Sequence, residues 1–338
     1  MVEKSQFILG LALVIIFILF GVFRRRLSGG TSSDHFTRTR TNSEFPVVRT
    51  EYPDVLASQV NWSVRDETIA IGGTVYNCAP YLDAVFENII QMVRLFRNHV
   101  IVIAIDKGTD QSLQILEEWE NRLPNVHILV DEKRSARRTE NLALARNRIL
   151  RKIRELRRMS SDPMPYMIMM DCDDVCSTPI RLPVLIDALQ HESEWDTVSF
   201  PSLNSYYDIW ALSMKPLLLS YLHFEDPHLS NRKIRIFMHE QLQNKRWIPC
   251  LSAFGGFALY RTSIYLECEY DWRLDRNLAF LDASDIQRNE EAIGCKFVGY
   301  DSNDEDCEHR YFHFNAVFKK GARSFIHPHN LFGFPGPT

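Results

Sequence analysis

Between residues 68 and 174 the chain alternates short β-branched runs with longer stretches that are apolar every three to four positions. Residues 68–77 (TIAIGGTVYN) form an apolar run that stops at a polar turn. Leu82, Val85, Phe86, Ile89, Val93 and Phe96 then repeat at helical spacing. Residues 99–105 (HVIVIAI) read as a buried strand, closed by Asp106-Lys107-Gly108-Thr109-Asp110. Leu113, Leu116, Trp119 and Leu123 mark a second helix, 126–130 another strand, and Leu142, Ala145, Ile149, Ile153 and Leu156 one face of a long helix. Residues 166–170 (YMIMM) are the fourth strand, and Asp171-Cys172-Asp173-Asp174 follows at once. Strand and helix in strict turn predict an α/β fold, a mostly parallel sheet with helices on both faces. Ligands of such sheets bind beyond the carboxyl ends of the strands, where the polar turns after Val75, Ile105 and Met170 fall. Neither GxGxxG nor GxxxxGK[ST] occurs, so the usual glycine-rich routes to phosphate are missing.

The acidic turn is the sharpest chemical signal. Two carboxylates two residues apart at a strand end can reach one hard divalent cation, and Mg²⁺ or Mn²⁺ takes one or two carboxylates together with phosphate oxygens of a substrate. The bland alternative is a turn that caps the next helix through Asp174 or Ser177. Placement directly after the fourth strand favours the metal.

A rival comes from the basic stretch between Lys133 and Arg158, which beside an aspartate cluster suggests a nuclease or polymerase. Arg151, Arg154 and Arg158 fall at helical spacing, the mark of a solvated helix face. The net charge of -4 also speaks against a nucleic-acid surface. No nucleic-acid partner is expected. Seven cysteines without a CxxC pair argue against a disulfide scaffold and a zinc ribbon.

Ahead of this body, residues 7–23 (FILGLALVIIFILFGVF) carry no charge and no polar side chain. As a helix they would span about 25 Å, enough for a thin bilayer. Arg24-Arg25-Arg26 follows where a cleaved signal would show small residues, so the segment reads as one uncleaved N-terminal transmembrane helix. The arginines place the body in the cytosol by the positive-inside rule, whereas a secretory-pathway enzyme needs the opposite, and the orientation stays open. From residue 24 to 50 there are six basic and two acidic residues, a stretch of about +4 that reads as a flexible stalk near a membrane surface. The expected organisation is an anchor with short flanks (1–26), a stalk (27–66) and a catalytic domain (67–338). The lipid bilayer, of an endomembrane or of a virus or its host, is an expected partner.

The order strand–Asn-Cys–helix, strand ending in Asp106, Leu-Ala-Leu-Ala-Arg-Asn at 142–147, then strand–DxDD resembles the GT-A glycosyltransferases, Rossmann-like enzymes that use nucleotide-sugar donors. More closely, DCDDVCS (171–177), YYDIWAL (206–212), SAFGGFALYR (252–261) and DCEHRYFH (306–313) are similar to the fungal capsule-associated α-1,3-mannosyltransferase-like group and its viral and microbial relatives. The resemblance covers roughly residues 68–330. It implies a metal-dependent transfer of a hexose from a nucleotide sugar to a glycan or other hydroxyl acceptor. It implies that Asn77, Asp106, Arg146 and Asp171 meet the nucleotide sugar, and that Asp171 and Asp173 hold Mn²⁺ or Mg²⁺. His309 is a further candidate metal ligand. An inverting reaction needs a carboxylate to take the acceptor proton, with Glu308 or Asp306 the candidates; a retaining one needs no such base. Residues 204–210, where aromatics mix with polar groups, are candidates to line the sugar or acceptor pocket. The alternative of another class is a catalytically inactive GT-A-like carbohydrate-binding protein at a membrane.

Overall fold

The computed structural model describes residues 63–333 apart from 132–134, 202–205, 245 and 300–303. The expected anchor, nearly all of the stalk, and Asn204 and Ser205 lie outside the described residues. Among the described residues no helix is long and apolar enough to cross a membrane.

The four expected strands are present as β1 (Arg65–Val75), β2 (Phe96–Asp106), β3 (Val126–Asp131) and β4 (Tyr166–Asp171). They pair in parallel in the order β3-β2-β1-β4. The intervening helices are α1 (Leu82–Val93), α2 (Ser112–Arg122) and α3 (Arg138–Met159). Side chains alternate across the sheet. Ile69, Ile71, Ile101, Ile103, Ile168 and Met170 pack on one side with α1, α2 and α4 (Leu182–Gln190). Ala70, Val102, Ala104, Met167 and Met169 pack on the other with α3 and with α9 (Glu308–Lys320). The small residues on that second side let α3 come close: a Cβ at Gly72 would stand 2.5 Å from Ile149 Cγ2.

One boundary differs from the periodicity. Phe96 continues the apolar stripe of α1, yet the helix stops at Val93 and Phe96 opens β2. Leu95 and Phe96 are both buried at the turn, so the core accepts them in either conformation and spacing alone does not mark the break.

Beyond β4 the sheet becomes mixed, through β7 (Phe257–Arg261), β5 (Thr197–Ser199), β8 (Ser324–Ile326) and β6 (Ile248–Cys250), in that spatial order. Strand β7 runs antiparallel between β4 and β5. A third apolar cluster gathers Leu212–Leu219 residues, β6 and β8 with α5 (Pro227–Gln243) and α8 (Ala283–Ile293). The result is an α/β fold with a mixed sheet that is parallel through its first half. Its register aligns Thr74 with Asp171 and Asp106 with Asp131, so the chemical residues of four strands share one edge.

Candidate active site

Two loops at that edge are tied to each other. Asn77 adopts a left-handed conformation (φ 54°), and its Oδ1 accepts from Thr109 N at 2.9 Å. Cys78 N donates to Ser112 Oγ (2.8 Å) and Ala79 N to Asp110 Oδ2 (2.9 Å). Asn77 thus joins the β1–α1 loop to the β2–α2 loop, beside Asp106 at the end of β2.

Asp171 ends β4, and its amide donates to Gly256 O at 2.8 Å across to β7. Gly255 and Gly256 both have positive φ (69° and 80°), which lets the chain turn under the acidic loop where a side chain would be strained. Asp173 Oδ1 accepts from Val175 N (3.1 Å) and starts a short 3₁₀ turn, Asp174–Cys176. The turn is thus capped by Asp173 and not by Asp174 or Ser177, so one aspartate both caps the turn and belongs to the acidic cluster. Burial, then the Asp171 charge, pushes the Asp173 carboxyl up to about 6. A crowded pair of carboxylates at a strand end is a donor set that a divalent cation relieves, so the residues fit Mn²⁺ or Mg²⁺.

Arg146 lies under this loop, 2% exposed. Its Nη2 donates to Asp171 Oδ1 at 2.7 Å and its Nη1 to Glu308 Oε1. The guanidinium also sits over the rings of Phe254 (5.1 Å) and Tyr270 (5.9 Å). Glu308 thereby reaches Asp171 through one buried arginine. Among the described residues its other oxygen has a single weak contact, 4.0 Å from Cys307 Sγ.

Asp306 stands elsewhere. It is fully buried, accepting from Arg310 Nε (2.9 Å), Asn277 Nδ2 (2.9 Å) and Cys307 N (2.7 Å). Burial alone would raise its pKa; Arg310, with His223, overrides that and holds the carboxyl down to about 2. Arg310 in turn donates to the carbonyls of Trp210, Leu212 and Leu218. This speaks against the expectation of Asp306 as proton acceptor: its carboxylate is fully buried and committed to Arg310, Asn277 and Cys307 N. His309 also departs from expectation. Among the described residues no three His, Cys, Asp or Glu side chains come together as a metal-binding group, so it does not join Asp171 and Asp173. Its ring stacks on Phe254 (3.6 Å between centroids), and among the described residues neither nitrogen has a hydrogen-bond partner, Nε2 standing 3.8 Å from Glu308 Oε1. Burial and then the Arg146 charge hold it neutral.

The basic stretch is largely spoken for. Arg148 pairs with Asp131 (3.1 Å), Arg137 with Asp304 (2.9 Å), and Arg154 donates to the carbonyls of Leu266 and Cys268. Arg151, Arg157 and Arg158 face solvent; Lys133 and Arg134 lie outside the described residues.

Beside the acidic loop, on the β7–β5 side, opens a cavity of ≈ 360 Å³ whose walls include Asp174, Val175, Phe200, Tyr207, Phe257 and Phe332. Tyr207 belongs to the aromatic segment singled out from sequence. The next residue, Asp208, accepts from Gly255 N (3.2 Å) and Ala211 N (3.3 Å), and burial pushes its carboxyl up. Sequence reasoning missed Asn88. It donates to the carbonyls of Cys176 (2.9 Å) and Thr178 (2.7 Å) and accepts from Ile180 N (3.1 Å), fixing the chain that leaves the acidic loop. Its signal was an amide on the apolar face of α1 between Val85, Ile89 and Met92.

Residues 73–268 match the family described as Glycosyl transferase family 2. No protein of curated function matches the chain. Among solved structures it is similar to S. aureus TarS 1–349 in complex with UDP-GlcNAc, at 14% identity and a TM-score of 0.40, over 80% of this chain and 60% of that one. It is also similar to the mannosyltransferase PcManGT from Pyrobaculum calidifontis in complex with GDP-Man and Mn²⁺, at 12% identity and a TM-score of 0.40, over 81% of this chain and 59% of that one. The chain thus spans about three fifths of the length of these structures.

Proposed function

The chain belongs to glycosyl transferase family 2, and from that premise we propose that it moves a hexose from a nucleotide sugar to a hydroxyl acceptor at the β4 edge. The enzyme class follows from the family; the donor, the metal and the residue roles are the proposal. The observation that carries it is the pair Asp171 and Asp173 at the end of β4, with Asp171 held by the buried Arg146.

Asp171 and Asp173 would hold Mn²⁺ or Mg²⁺, which when bound neutralises charge on the departing nucleoside diphosphate. Asn77 and Asp106 form the floor for the nucleotide beyond β1 and β2. Arg146 fixes the Asp171 carboxylate and spreads its own charge toward the phosphate side of the site. In the transfer, the bond from the anomeric carbon to phosphate oxygen breaks and a bond to the acceptor oxygen forms. For an inverting reaction the acceptor proton passes to Glu308 Oε2, the oxygen Arg146 leaves free, while Oε1 stays fixed. The finer reading, a relative of the capsule-associated α-1,3-mannosyltransferase-like group, rests on the four sequence segments. It puts GDP-mannose first among donors to test.

The deciding assay measures nucleoside diphosphate release from a panel of UDP- and GDP-sugars, with Mn²⁺, with Mg²⁺ and with EDTA. Release that needs the cation and one sugar nucleotide supports the proposal. Binding of sugar without release from any donor favours the inactive carbohydrate-binding alternative. We also propose that residues 7–23 anchor the chain. The full chain should then stay in membranes through an alkaline wash, and a mature protein beginning near residue 25 would refute the anchor.

A further inference from the structure

The cavity beside Asp174 lies on the opposite side of β4 from the loops of Asn77 and Asp106. The sheet order β2-β1-β4-β7-β5 therefore sets the proposed nucleotide floor, the acidic loop and the cavity in a row along one edge. A group that receives sugar from a donor held over β1 and β4 must approach from the β7–β5 side, where the cavity opens. Its volume of ≈ 360 Å³ falls within the usual span of small-ligand sites, about 300–1,000 Å³.

The chemistry of its walls is divided. Phe200, Phe257 and Phe332 form one continuous aromatic wall, each neighbouring pair meeting edge to face with centroids 5.6 Å apart. Such a wall offers apolar surface without losing its own packing. The polar side chains of the lining are the Asp174 carboxylate, the Thr178 hydroxyl and the Tyr207 hydroxyl, the last kept protonated by burial and nearby carboxylates. No lysine or arginine lines the cavity among the described residues. A phosphate placed here would face the Asp174 carboxylate with no cationic side chain among the described lining residues to meet it.

We infer that this cavity seats the acceptor, and that the acceptor is an uncharged glycoside carrying an apolar group, its hydroxyls toward Tyr207 and Asp174 and its apolar group on the phenylalanine wall. The inference rests on the transfer reading above and adds the acceptor's class to it.

Binding to the full chain, read by saturation-transfer NMR, tests it without turnover. The probes are a methyl hexopyranoside, its p-nitrophenyl counterpart and the same hexose as its phosphate. The aryl glycoside should bind roughly tenfold more tightly than the methyl glycoside, the size of one good aromatic contact, and the phosphate should not bind. Phe332→Ala should erase the aryl preference. Phe332→Tyr, which keeps the ring, should retain it and guards against a folding artefact. Thr178→Lys, a base added to the cavity wall, should admit the phosphate. Binding of the phosphate to the unaltered chain at least as tight as that of the aryl glycoside would overturn the inference, as would an aryl preference that survives Phe332→Ala. A chain that releases nucleotide from a donor and ignores aryl glycosides refutes this inference alone. One that binds aryl glycosides and turns over no donor refutes the transfer reading instead.

Discussion

Asp306 and Glu308 are two residues apart, both buried, and each meets an arginine. Asp306, just ahead of α9, faces Arg310 on that helix, and among the described residues the other bonds of the pair run to backbone or to other buried groups: three carbonyls, the Cys307 N–H, the Ser213 hydroxyl and the Asn277 amide. Glu308 faces Arg146 on a different helix, and that arginine leads on to Asp171, whose side chain is 21% exposed at the sheet edge. The same chemistry therefore serves two ends. A closed network spends its charges on holding loops in place, and removing one partner leaves an uncompensated charge in the interior. An open network transmits a fixed geometry to a carboxylate that a ligand can reach.

That contrast can be broken experimentally. The largest effect is expected at the open end: Asp173→Ala should cut turnover by roughly a thousandfold or more, because it removes half of the proposed cation site. Its melting temperature should hardly move. Full activity of that variant, or of the wild type in EDTA, would end the metal assignment. Next is Glu308→Gln, which keeps the shape and the acceptor for Arg146 but cannot take a proton. An inverting enzyme should lose about 10²–10⁴-fold in rate with donor affinity nearly unchanged. A modest loss, or a loss of donor affinity, would assign Glu308 to positioning and point to a retaining reaction; NMR of the product anomer checks this independently.

At the closed end, Asp306→Ala should cost about 3–5 kcal/mol of stability by stranding Arg310, measured by urea unfolding. Activity per folded molecule should survive. If instead the variant unfolds like the wild type and is inactive, Asp306 regains its place as proton acceptor and the contrast collapses.

The smallest effect is a pH dependence shared by the closed side. His313 Nδ1 accepts from Ala253 N and its Nε2 meets Tyr260 Oη at 3.0 Å; burial pushes its pKa down to about 3. The unfolded chain takes a proton near pH 6.5 that the folded chain refuses. Stability from this group is complete above pH 6.5 and falls as pH drops toward about 3, by about 1.4 kcal/mol per unit. Asp306 adds a second loss below about pH 4, as pH falls toward its folded value of about 2. Urea midpoints at pH 7.5 and 5.5 should differ more for the wild type than for His313→Gln. Equal differences would show that His313 does not carry this dependence.

How much of this was legible beforehand can be followed residue by residue. The parallel half of the sheet was readable because each element carries its own period, and β-branched runs and helical stripes need no knowledge of their partners. Asp171 and Asp173 stood out because a polar pair directly after a buried strand has only one edge to occupy. The end of α1 at Val93 was not readable because the apolar stripe runs on to Phe96, and Leu95 and Phe96 are buried on either assignment. The mixed half was not legible as strands at all: β5, β6 and β8 are three residues each, too short to show a period.

The sequence by itself determined the parallel half of the sheet, its carboxyl edge and the acidic loop upon it, since these follow from local spacing. Only the tertiary structure distinguishes Asp306 from Glu308. Both lie in one acidic stretch and both suit a base on paper. What separates them is which arginine each one meets, Arg310 four residues along the chain or Arg146 more than 150 residues away in sequence. That choice is made by the packing of α9 against α3, a long-range contact that no local pattern records.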